Sequence, residues 1–241
     1  MGIPQHYSHQ LAGRCRDILS EYYPAVSKDE GLGANHGGPL STTLVLALAT
    51  PMIVLPIERI NRRDAGEAHY SNERPVSPML TSHVDEMMKK NLRDTPFYER
   101  LDWRFVGAYP LFNLAMRMDS RLVAALDEQS AAAAAGNMPM TQFVGCLRNA
   151  LSHGGIMYLD ERGQSSDGPA SMFAFVSGKT GKHGPLCDGL NQECKHARPP
   201  IESLNILRIS ETDFVEFLYR WAAWLDDAGL SEAMSEEVRA A

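Results

Sequence analysis

Apolar residues return every three or four positions along the first part of the chain. Leu11, Cys15, Ile18 or Leu19, and Tyr22 form one stripe between Tyr7 and Tyr23, and Pro24 closes it, which predicts an amphipathic first helix. A second predicted helix runs from about Ser41, a fair N-cap, to Arg63, with Arg59, Arg62 and Arg63 complementing its negative end. Its apolar run Leu44 to Ile57 contains Pro51 and Pro56 and falls short of the about 20 apolar residues that span a bilayer. The expectation is a buried, kinked helix. His83 to Arg93 is helical in composition, and the aromatic patch Phe97, Tyr98, Trp103, Phe105 and Tyr109 that follows is expected in a core or an interface. Leu111, Leu114, Met118, Leu122 and Leu126 predict one long helix over Pro110 to Ala135.

After Gly154-Gly155 the period shortens. Ile156 to Asp160, Ser171 to Ser177 and Leu204 to Ile209 each read as a strand, which predicts a small two- or three-stranded sheet inserted over 156–209. Ser210-Glu-Thr-Asp213 is a near capping box that opens a last helix, where Phe214, Phe217, Leu218, Trp221, Trp224 and Leu225 share a wide apolar face. The expected fold class is therefore mainly α, a helical bundle with a small β insertion.

A hydrophobic share of 44% and a charged share of 22% predict a packed core rather than disorder. The net charge of −7 argues against a broad basic surface, so extensive duplex-DNA binding and anionic membranes are not expected; any nucleic-acid contact would be small and focused. Four cysteines are too few for a secreted disulfide scaffold, and Met1 to His9 is polar where a signal peptide is apolar, so a cytoplasmic location is expected. The glycine-rich stretch Gly31 to Pro39 lacks the Lys-Ser/Thr ending of a phosphate-binding loop and reads as a plain loop.

The densest chemistry lies in Arg148-Asn149-Ala150-Leu151-Ser152-His153, at the end of a predicted helix that opens near Thr141 and stops at Gly154. At about 100° per residue, Phe143, Val144, Leu147, Ala150 and Leu151 fall on one apolar arc. Arg148, Ser152, Asn149 and His153 occupy the opposite arc, with the arginine and the histidine at its margins. A fixed cation, an imidazole and two neutral hydrogen-bonding groups are the equipment for handling a phosphate ester. One helix does not bring the arginine and the histidine together, whereas two copies of the face across a two-fold axis would.

With Gly154 added, this segment resembles the R-x4-6-H signature of the HEPN superfamily (higher eukaryotes and prokaryotes nucleotide-binding domains). The resemblance covers roughly Leu111 to Leu225. It implies a single HEPN-like domain over 1–241, with 1–110 as an amino-terminal helical elaboration and 111–230 as the HEPN core carrying the 156–209 insertion. It further implies a homodimer acting as a metal-independent ribonuclease, with Arg148 and His153 catalytic and Asn149 and Ser152 supporting them. Many nucleolytic members carry an acidic residue one turn before the arginine, where this chain has Val144, Gly145 and Cys146. A non-catalytic nucleotide- or RNA-binding module therefore stands beside the enzyme. A third reading is a dimeric partner-binding protein of a toxin-antitoxin or defence pair, with a cognate antitoxin or defence partner.

No cofactor is required for that chemistry. His183, Cys187, Cys194 and His196 nevertheless place four competent zinc ligands in one loop, which a structural zinc would organise, although their spacing matches none of the standard pairings.

Overall fold

Helices come first along the chain, and a sheet is laid through the middle of what they build. The computed structural model describes residues 10–60, 78–181 and 200–227. Helix α1 spans Gln10–Val26, α2 is the short turn Glu30–Gly33, and α3 spans Ser41–Ala49. A π turn, Thr50–Val54, joins α3 to α4, Leu55–Ile60, and α5 spans Pro78–Met88. Strand β1, Arg104–Tyr109, precedes α6, Ser120–Asp127, α7, Gln129–Gly136, and α8, Met140–His153. Strands β2, Ile156–Leu159, β3, Met172–Thr180, and β4, Ile201–Ser210, lead into α9, Glu211–Asp227.

The four strands form one antiparallel sheet in the order β1-β4-β3-β2. This overturns the expected mainly-α bundle with a two- or three-stranded insertion: the architecture is mixed α/β, and the sheet is buried on both faces. Phe173, Phe175, Leu207 and Ile209 face a core shared with α1, α3, α8 and α9. Ala174, Val176 and Ile206 face a second cluster built with Leu122, Val123 and Leu126 of α6. The alternation along β3 and β4 follows from the period of two of a pleated strand.

Two local events account for the extra strand. The segment around Phe105 is extended and pairs with β4, but a register shift between Val106 and Tyr109, with Ala108 at φ 54°, breaks the alternation that marks a strand. The long helix expected over Pro110 to Ala135 is instead two short ones. Asp119 caps α6 by accepting from the Arg121 N–H at 2.9 Å, and Glu128 is extended, which separates α6 from α7. Arg104 and Arg208, opposite each other on β1 and β4, donate to the carbonyls of Leu126, Asp127 and Glu128 and so satisfy the end of α6.

By length and composition, the helical run Ser41–Arg59 is apolar enough to cross a membrane. Here Val45, Ala49, Met52, Ile53 and Ile57 of that run sit in the main core. Pro51 lies inside the π turn, and Pro56 has no N–H to offer the carbonyl of Met52 four residues earlier. The indole N–H of Trp221 on α9 donates to that carbonyl at 2.8 Å. Nearby, the buried Glu211 carboxylate accepts from Thr42 (2.6 Å) and Tyr23 (3.2 Å), which ties α1, α3 and α9 together. Burial, then the charge of Glu211, pushes the Tyr23 hydroxyl up to about 12.

Candidate functional site

Helix α8 is held from its apolar side by aromatic rings. Phe143 meets Trp103 edge-on at 5.0 Å and Phe217 at 5.6 Å, while Val144, Cys146, Leu147 and Ala150 are buried with it. The Cys146 thiol packs between the Phe175 carbonyl and the Ser177 hydroxyl of β3, and burial pushes it up to about 11. The helix cannot roll without breaking these contacts, so its other face is presented in one orientation.

The end of α8 explains both glycines that follow it. Gly154 takes the left-handed conformation at φ 70°, and the N–H groups of Gly154 and Gly155 return to the Ala150 carbonyl. Gly155 passes so close to β3 that an added Cβ would lie 2.3 Å from the Val176 carbonyl oxygen. The Gly-Gly pair is a joint that turns the chain from α8 directly onto β2, leaving the last helical turn at the surface.

On the open face, Arg148 and Asn149 are half-buried, whereas Ser152 and His153 are exposed. The Arg148 guanidinium is not loose. Its Nε and Nη2 both lie 2.5 Å from Oε1 of Glu58, and its Nη1 donates to Oδ1 of Asn149 at 2.8 Å. Among the described residues, neither Ser152 nor His153 has a side-chain hydrogen-bond partner. Arg148 and His153 are separated by about 7.5 Å along the helix axis and by about 140° around it, so they flank the face rather than converge.

Sequence reasoning missed Glu58. It lies on α4, 90 residues before Arg148, in a segment whose helical phase is changed by the π turn. Nothing local to either residue signals the pair. An acidic partner for the arginine is thus present, supplied by another helix and not by the preceding turn of α8.

No family model, no curated protein and no solved structure matches the chain.

His183, Cys187, Cys194 and His196 lie outside the described residues, and the described residues contain no cluster of three metal-competent side chains. The glycine-rich loop borders a cleft of about 340 Å³ together with Tyr158 and Ser166 to Ala170. Its glycines answer to backbone conformation and to packing: Gly37 is left-handed at φ 75°, and a Cβ on Gly33 would fall 2.0 Å from the Gly38 carbonyl oxygen.

Proposed function

We propose that the open face of α8 is a phosphate-ester site, and that two copies of it form a metal-independent ribonuclease. The observation that carries this reading is the state of Arg148. Its guanidinium is oriented by Glu58 and Asn149, yet the side chain remains 37% exposed, just over one turn from an exposed histidine. Arg148 would hold phosphate oxygens and stabilise the negative charge that develops on the non-bridging oxygens of the phosphorane. His153 would take the proton from the attacking 2′-hydroxyl or give one to the leaving 5′-oxygen as its bond to phosphorus breaks. Asn149 steadies the guanidinium, and Ser152, between the two margins, would contact the same phosphate. The resemblance of Arg148 to Gly154 to the HEPN signature supports the same assignment.

Because the arginine and the histidine flank the face, the second copy is part of the proposal: each helix would offer its Arg148 to the histidine side of its twin. The test is RNA cleavage by the purified protein with chelator present. His153→Ala is expected to lower cleavage by about 10²-fold or more while the oligomer stays folded. Unchanged cleavage in that variant rejects the catalytic assignment. One observation favours a second reading, a binding module: Glu58 offsets the charge of Arg148, so the site is not strongly cationic in the free protein. A binder would gain thermal stability from nucleotide and show no turnover.

A further inference from the structure

Glu58 does not belong to the helix that carries the proposed chemistry, and its contact with Arg148 is poorly explained as a contribution to stability. The pair is partly exposed, 37% on the arginine side and 26% on the glutamate side, and such pairs are worth only about 0–1 kcal/mol. Its geometry is specific, however. One carboxylate oxygen takes the Nε side of the guanidinium, and Asn149 takes a hydrogen on Nη1. That leaves one hydrogen on Nη1 and one on Nη2, a pair suited to two oxygens of one phosphate.

The position of Glu58 is set by the core. A π turn carries one more residue than an α turn, so it rotates everything after it by about 100°. In an uninterrupted α-helix from Ser41, Ile57 would point where Glu58 now points. The π turn is itself fixed, because the Met52 carbonyl is held by the buried Trp221 and because Met52 and Ile53 are fully packed. The carboxylate therefore reaches Arg148 from a rigid base and not from a long surface segment.

We infer that Glu58 is a positioning residue: it clamps the Nε side of Arg148 so that the free hydrogens on Nη1 and Nη2 face an incoming phosphate. The inference rests on the reading of the α8 face as a phosphate-ester site. It differs from an inhibitory contact, in which phosphate would have to displace the carboxylate before binding.

The test compares wild type with Glu58→Ala and Glu58→Gln by single-turnover RNA cleavage, and follows the Arg148 Nε resonance by nitrogen-15 NMR while inorganic pyrophosphate is added. Arg148→Lys identifies that resonance by its loss. Glu58→Ala should lower the cleavage rate constant by about tenfold to a hundredfold with KM changed less than about threefold. Glu58→Gln, which still accepts from Nε, should recover most of that loss. Wild-type or faster cleavage by Glu58→Ala overturns the inference. If the wild type cleaves no RNA, the ribonuclease reading fails separately, and the resonance decides: Nε should keep its Glu58-bonded position as pyrophosphate binds. An Nε signal that moves in the wild type as it does in Glu58→Ala, or no pyrophosphate binding, overturns the clamp.

Discussion

At the residue scale, burial separates the side chains that pack from those that can act. Cys146 is enclosed by β3, and desolvation raises its thiol from 9.0 to about 11, with Ser177 opposing the shift. A raised folded value means that the native state holds the proton more tightly than the unfolded chain. The resulting stability is present in full below pH 9.0 and is lost as pH rises through about 11. Urea denaturation should therefore show stability falling over that window, with a shallower fall in Cys146→Ala; identical slopes would contradict the assignment. Cys15 and Cys146 should also resist alkylation in the native protein and react on unfolding, read site by site by mass spectrometry. The face formed by Arg148, Asn149, Ser152 and His153 was legible at this scale, because a helix places residues by a local rule. Glu58 was not, because its partner is distant in sequence and its direction depends on how a proline-containing turn is accommodated.

At the element scale, the π turn and α9 act as one unit. Trp221 fills the core against Phe97 and Phe217 and donates to the carbonyl that lies four residues before Pro56. Trp221→Phe keeps most of the ring contacts and removes the donor, so it should cost about 1–3 kcal/mol in chemical denaturation. A loss within about 0.5 kcal/mol would mean that the carbonyl has another partner. The helices opening at Gln10, Ser41 and Glu211 were readable from their apolar stripes and, for the last, from the Ser210 cap, whose hydroxyl accepts from the Asp213 N–H at 3.0 Å. The break at Glu128 was not readable, because the stripe from Leu111 to Leu126 carries helical spacing through residues 110–119, which form a loop with a turn at Leu114 and Ala115, and α6 starts only after Asp119. Arg104 and Arg208 reach the end of α6 only once β1 and β4 are paired.

At the scale of the whole molecule, the sheet runs between two apolar clusters, and α8 rests on it with its chemistry turned outward. Gly145 lies on that outer face, and a Cβ placed there would meet nothing within 4 Å. Gly145→Trp should therefore leave the melting temperature of the folded chain nearly unchanged. If α8 meets its twin, the same variant should convert the dimer to a monomer in sedimentation equilibrium; a dimer that persists would move the interface off this helix. The pattern of the chain by itself determined the amphipathic helices α1, α8 and α9, three of the four strands and the polar face of α8, because each follows from periodicity within a dozen or so residues. Only the tertiary structure decided that the architecture is mixed α/β, that α6 stops at Asp127, and that Glu58 meets Arg148. Those outcomes depend on strand pairing, on arginines satisfying remote carbonyls, and on a π turn locked by Trp221, all of them contacts between residues far apart in sequence.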